Sequence, residues 1–222
     1  MTATRLAFPK LYVILDQALL QTPATQCAEQ LLSAGVRLLQ YRHKTGSSRE
    51  LLNTSRELVA IAMPFSAQVI VNDRPDIAEL AGAAGVHVGQ DDLEVEHARN
   101  LVGVAKWVGV STHNLEQFRR AAATSADYIA VGPVFSTSSK LNPDPVVGLE
   151  LIRQVRALSA KPIVAIGGIT LERAAEVISA GADSVAVISD ILSAPRPGDR
   201  AKQYLEILSA TNHNAANHAA AV

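Results

Sequence analysis

Short, β-branched apolar runs recur along the whole chain. They are LYVILD (11–16), RLLQYR (37–42), AQVIVND (67–73), GVHVG (85–89), WVGVS (107–111), DYIAVG (127–132), PIVAIGG (162–168) and DSVAVIS (183–189). Each is close to continuous in apolar residues rather than strictly alternating, the pattern of a strand covered on both faces. Between them lie helical segments at 24–34, 49–63, 77–84, 93–102, 115–123, 148–158, 171–180 and 198–208. In the first of these, Cys27, Leu31 and Ala34 fall on one face. The glycines of SAGV (33–36), AAGV (83–86) and SAGA (179–182) are expected to close helices, because glycine accepts the left-handed conformation without strain.

Eight strand–helix units with short connections predict a parallel sheet, and eight parallel strands can close on themselves. The expected fold is therefore α/β, a single (β/α)8 TIM barrel. One domain is expected for 1–222, with the barrel over 10–210 and a disordered tail at 211–222, where TNHNAANHAAAV lacks an amphipathic pattern. The longest insertion between strands is 133–145, rich in Ser, Thr, Pro and Asn, directly after the sixth strand.

Composition narrows the function classes. Hydrophobic residues make up 48% and aromatics only 4%, so Ala, Val, Leu and Ile must fill the interior. Lys and Arg number 20 against 21 Asp and Glu, a net charge of −1. No basic field points to nucleic acid or to an anionic membrane. No apolar run approaches the roughly 18–20 residues that span a bilayer. Residues 1–10 carry Arg5 and Lys10 but no apolar core of signal-peptide length. Cys27 stands alone, which excludes an internal disulfide and a cysteine-based zinc cluster. The expected setting is cytoplasmic. A homodimer is compatible with apolar residues on a barrel helix, but no particular helix is singled out.

In a barrel of this kind the chemistry sits at the C-terminal ends of the strands. Polar residues gather there: Gln40, Arg42 and Lys44 after strand 2, Asn72 and Asp73 after strand 3, Asp91 and Asp92 after strand 4, Ser111 and His113 after strand 5, and Ser189 and Asp190 after strand 8. Alternate residues of a strand share a face, so Gln40, Arg42 and Lys44 point one way, and a guanidinium fork with an ammonium suits a phosphate or diphosphate. Asn72, Asp73, Asp91 and Asp92 offer hard oxygen ligands suited to Mg²⁺. Helix N-capping, by Asp73 before Pro75 and by Asp92 before Leu93, would use the same residues differently. Thr137, Ser139 and Lys140 lie in the polar insertion and suit a lid over a charged ligand. Gly167-Gly168 after strand 7, with Ile188 and Ser189 ending strand 8, matches the place where barrels bind phosphate through backbone N–H groups. His87 lies inside strand 4, where a packed histidine is the plainer expectation. No P-loop, GxGxxG or nucleophilic triad is present.

The stretches QYRHK (40–44), VNDRPDIAELAGAAGVHVGQDD (71–92), GVSTHN (109–114), DYIAVGPVFSTSSK (127–140), PIVAIGGIT (162–170) and GADSVAVISDI (181–191), in this order, resemble the thiamine phosphate synthase family. The resemblance implies a transferase that couples 4-amino-2-methyl-5-hydroxymethylpyrimidine diphosphate to hydroxyethylthiazole phosphate, with Mg²⁺. It implies Asp73 and Asp92 as metal ligands and Arg42, Lys44, Asn72 and Lys140 as diphosphate contacts. Gln40 and Ser111 would face the pyrimidine. Thr137, Ser139, Gly168, Ile188 and Ser189 would face the thiazole phosphate. Two positions depart from the family pattern: Tyr41, where Leu commonly precedes the Arg, and Asp190, often a small residue. Tyr41 is expected to face away from the barrel interior, whereas Asp190 would bring a negative charge close to the phosphate site. A thiazole tautomerase-like paralogue, using His113 for proton transfer, and a non-catalytic thiamine phosphate sensor are the alternatives on the same scaffold.

Overall fold

The computed structural model describes residues 8–136 and 145–211. Eight strands alternate with helices: β1 (Leu11–Asp16), β2 (Leu38–Arg42), β3 (Gln68–Asn72), β4 (Gly85–Val88), β5 (Trp107–Thr112), β6 (Tyr128–Val131), β7 (Ile163–Ile166) and β8 (Ser184–Val187). The strands form one closed parallel barrel in sequence order, and β1 closes it by pairing with β8 at Val13 and Val187. The covering helices are α1 (Ala24–Ser33), α2 (Ser48–Ala62), α3 (Pro75–Ala81), α4 (Val95–Val102), α5 (Leu115–Ala122), α6 (Gly148–Arg156), α7 (Leu171–Ser179), α8 (Ser189–Leu192) and α9 (Pro197–Ala210). The expected TIM barrel is therefore the fold. The strands agree with the sequence reading to within two residues at each end.

Two local expectations are corrected. Gly85 does not close a helix: it opens β4, and Gly82, with φ +69°, ends α3 instead. A side chain at Gly85 would collide with the Trp107 carbonyl on β5, so this glycine serves strand packing. Ser189 does not end β8. The chain turns at Ile188 and Ser189 opens the short helix α8, which the apolar pattern alone could not distinguish from a longer strand.

The core has two layers. Leu11, Val13 and Leu15 of β1 face outward into the large shell between strands and helices, which also holds Tyr41. Tyr12 and Ile14 face inward and meet Leu38, Ile70, Tyr128, Val164 and Ala186 inside the barrel. The outward position expected for Tyr41 is what the structure has. At the opposite rim from the site, Arg99 pairs with Asp127 and Arg156 with Asp183, while each carboxylate also accepts from a strand N–H, of Val108 and Ile163 respectively. Conserving strand register, rather than chemistry, is the work of that rim.

The upper part of the barrel interior is polar. Gln40 Nε2 donates to the Tyr12 hydroxyl at 2.8 Å, and Tyr12 and Tyr128 meet hydroxyl to hydroxyl at 3.1 Å. The Tyr128 hydroxyl lies 3.0 Å from His87 Nδ1, and His87 Nε2 lies 2.9 Å from Ser111 Oγ. Gly109 makes room for the Tyr128 ring, since a Cβ there would sit 2.0 Å from its Cζ. Tyr12, Tyr128 and His87 are each partnered on both sides, as burial requires. His87 is thus a packed histidine, as expected, but it is also a link between two strand-end side chains.

Burial lowers the His87 pKa from 6.5 to about 4, with Asp92 opposing the shift. A base whose pKa is lower in the folded chain gives its full stability above its unfolded pKa. That stability is lost progressively as pH falls from 6.5 to about 4. The loss amounts to about 3 kcal/mol. His87→Gln removes this titration, so urea unfolding at about pH 7 and about pH 4 should show the variant losing about 3 kcal/mol less than the parent chain between them. An equal loss in both proteins would show that His87 is not held neutral by the fold.

Candidate active site

Because all eight strands are parallel, their C-terminal ends open on one rim. A cavity of about 400 Å³ lies there, floored by Tyr12, Ile14, Ala130, Val164 and Ala186 and walled by polar side chains. Gln40 and Arg42 point into it from alternate positions of β2, and Lys44 follows from the next loop. Arg42 pairs with Asp16 at the end of β1, its register partner. Asp16 is 3% exposed and also accepts from the Ala18 N–H at 3.1 Å. A guanidinium has five N–H donors, so this pairing anchors Arg42 and leaves donors for a ligand.

Lys44 pairs with Asp73 across the β2–β3 edge of the mouth. Asp73 has φ +62°, a left-handed backbone uncommon for a residue with a side chain. Its N–H is tied to the His87 carbonyl at 2.7 Å, which holds the turn and aims the carboxylate at the cavity. Burial raises the Asp73 pKa; Lys44 opposes this and the neighbouring Asp92 carboxyl adds to it. Two carboxylates therefore converge at one place. Asp92 also accepts from the Gly89 N–H at 2.8 Å, closing its own loop. Neither residue caps a helix: α3 starts after Arg74 and α4 after Glu94. Among the described residues no group of three or more His, Cys, Asp or Glu converges to hold a metal by itself. Two carboxylates and the oxygens of a phosphorylated ligand remain a donor set that fits Mg²⁺.

Asn72, Ser111 and Ile188 also line the cavity, so the structure gathers Gln40, Arg42, Lys44, Asn72, Asp73, Asp92, Ser111 and Ile188 in one place. Gly168 and Ser189 are not in its lining, but Gly168 lies two residues after Ile166 and Ser189 directly after Ile188, both of which are. Thr137, Ser139 and Lys140 lie outside the described residues. His113 lines the wall with Nδ1 2.6 Å from the Gly132 carbonyl oxygen. The sequence pattern does not mark Asp16, Tyr12 or Tyr128 as site residues. Asp16 carries a signal, as the one charged residue of the apolar run 11–16. The tyrosines carried none, since their hydroxyls meet only after the barrel closes.

The loop after β7 is held tightly. Gly167 and Gly168 have φ +100° and +62°, and a Cβ on Gly168 would sit 2.3 Å from the Ser136 carbonyl oxygen. The β6 loop is laced to it by Val134 N–H to Ile166 O at 2.8 Å and Phe135 N–H to Gly167 O at 3.0 Å. Among the described residues, the N–H groups of Gly168 and Ser189 donate to no other group. The charge of Asp190 does not enter the cavity. Its carboxylate turns to α9, where Arg200 binds it through two nitrogens at 3.0 Å each and Tyr204 donates to it at 2.6 Å.

Comparison with known proteins agrees with this architecture. The family model for thiamine monophosphate synthase matches residues 11–191, from the first strand to the helix after the eighth. A thiamine-phosphate synthase of Koribacter versatilis is 52% identical over 212 residues, covering 93% of this chain and 99% of that one. One from Chloroflexus aurantiacus is 39% identical, covering 93% and 95%. The solved thiamine phosphate pyrophosphorylase of Pyrococcus furiosus superposes with a TM-score of 0.83 at 32% identity, covering 90% of this chain and 95% of that one. With the match running through every strand that supplies a side chain to the cavity, the chain belongs to the thiamine monophosphate synthase family.

Proposed function

We propose that the chain is a transferase that joins 4-amino-2-methyl-5-hydroxymethylpyrimidine diphosphate to hydroxyethylthiazole phosphate, releasing thiamine phosphate and diphosphate. The observation that carries this reading is the convergence of Arg42, Lys44 and Asn72 with Asp73 and Asp92 above a buried polar floor. Its relatives are named for this activity, and none of those named here supports a tautomerase or a sensor.

The floor suits an aminopyrimidine. With Gln40 Nε2 donating to Tyr12, a consistent chain has Tyr12 donating to Tyr128, Tyr128 to Nδ1 of neutral His87, and His87 Nε2–H to Ser111. Gln40 then keeps its Oε1 as an acceptor, and Ser111 keeps its hydroxyl hydrogen as a donor. An aminopyrimidine edge presents the complement, an amino donor beside a ring-nitrogen acceptor. Each relay group accepts on one side and donates on the other, so the two ends of the chain always have opposite polarity.

The diphosphate lies over Arg42, Lys44 and Asn72, with Lys140 completing the set from outside the described residues. The C–O bond to the diphosphate breaks first, and its electron pair leaves with the diphosphate. The pyrimidine stabilises the resulting methylene cation, and the thiazole nitrogen supplies its lone pair to form the C–N bond. That nitrogen carries no proton, so no general base is required. Catalysis rests on holding the two reactants in line and on stabilising the leaving charge. Asp73 and Asp92 would hold Mg²⁺, which when bound would neutralise charge on the departing diphosphate. The thiazole phosphate would be held by the N–H groups of Gly168 and Ser189 beside Ile188, with Thr137 and Ser139, outside the described residues, as further candidate contacts.

Two measurements test this reading. The purified chain, given both substrates and Mg²⁺, should form thiamine phosphate, and EDTA should abolish it. Folded protein that yields no product under these conditions would sink the assignment. Asp92→Ala should lower turnover by about 100-fold or more at saturating substrate. Turnover near that of the parent chain in Mg²⁺ would remove Asp92 from the metal site.

A further inference from the structure

On sequence alone Asp190 places a negative charge beside the thiazole phosphate, and the structure gives it another task. It follows Ser189 directly, in the turn after β8. Tyr204, on α9 and fully buried, donates to Asp190 Oδ2 at 2.6 Å and lies 3.3 Å from the Ile169 carbonyl oxygen. Ile169 follows Gly168 directly, in the turn after β7. A single phenol thus touches both turns, one residue beyond each N–H group assigned to the phosphate. Arg200, one helical turn before Tyr204, neutralises the same carboxylate and reaches Glu172 at the start of α7 at 3.7 Å. α9 packs against both α7 and α8.

We infer that Asp190, Arg200 and Tyr204 form a clamp that sets the spacing of the two phosphate-binding turns, which makes Tyr204 a positioning residue for the thiazole phosphate. The inference rests on the assignment of Gly168 and Ser189 to that phosphate. Two backbone N–H groups from separate turns can bind one phosphate only if their separation is held, since a shift well under an ångström weakens a hydrogen bond. The β7 turn is held on one side by the β6 loop. The contact between the β7 and β8 turns through Tyr204 sets their separation on the other side. Pairing with Arg200 also keeps the Asp190 charge away from the phosphate.

The test compares binding of hydroxyethylthiazole phosphate with that of the unphosphorylated alcohol by calorimetry. The parent chain, Tyr204→Phe and Arg200→Gln are each titrated, with melting temperatures as a control. The parent chain should prefer the phosphate. In each variant the phosphate ligand should lose about tenfold in affinity, the effect of roughly one strong hydrogen bond. Affinity for the alcohol should be unchanged. In turnover, KM for the thiazole phosphate should rise alone, with kcat and KM for the pyrimidine diphosphate retained. A parent chain that does not distinguish phosphate from alcohol overturns the phosphate assignment and the clamp with it. A parent chain that does, beside variants that keep the same preference, overturns the clamp alone. Equal losses for both ligands would make Tyr204 a folding residue only and would equally overturn it. Arg200→Gln, at a partly exposed position, keeps the test open if Tyr204→Phe fails to fold.

Discussion

The pairing of β1 with β8 is the constraint on which the rest depends. Until Val13 meets Val187, the strands form an open ribbon whose ends share no common space. Closure puts eight C-terminal ends on one circle, so residues more than a hundred positions apart in sequence face one another. Gln40 and Ser111 come from β2 and β5, yet one hydrogen-bonded chain joins them through β1, β6 and β4. Closure also sorts the core, sending Tyr12 and Ile14 inward and Leu11, Val13 and Leu15 out to the helices.

Charge at the mouth is arranged in pairs. Arg42 rests on Asp16, Lys44 on Asp73, and Arg200 on Asp190. In a partly buried setting an isolated charge is costly, and a partner offsets part of the desolvation. The pairs differ in what they leave over. Arg42 retains donors and Lys44 remains half exposed, so both can turn to a phosphorylated ligand. Asp190 is enclosed by a guanidinium fork and a phenol and is withdrawn from the cavity. The same chemical pairing therefore leaves two cations at the cavity with capacity to spare, and in the third case ties the turn after β8 to α9.

The floor solves a different problem. A small apolar cavity would exclude water but would not orient a heteroaromatic ring. The relay through Tyr12, Tyr128 and His87 buries polar groups that are all partnered, and it fixes the polarity of both ends at once. Burial keeps His87 neutral near pH 7, which the relay requires.

Several features of this protein are legible in the chain because they are local. Continuous apolar runs at regular spacing require buried strands, and their number and punctuation imply a barrel. Polar residues at the end of each run mark the rim where the cavity opens, so Gln40, Arg42, Asn72, Asp73, Asp92 and Ser111 can be placed there before any coordinate is known. Local pattern fails where two conformations share one composition. It extends β8 through Ser189, and it assigns a helix end to Gly85, because neither the short α8 nor the Trp107 carbonyl appears in a single segment. It also leaves the roles of Asp16, Tyr12, Tyr128, Asp190 and Tyr204 unread. Each acts through a partner on another element: Arg42 for Asp16, Gln40 for Tyr12, His87 for Tyr128, and Asp190 and Tyr204 for one another. Hydrogen bonds and ion pairs depend on distance in space, and only closure of the barrel and docking of α9 decide those distances.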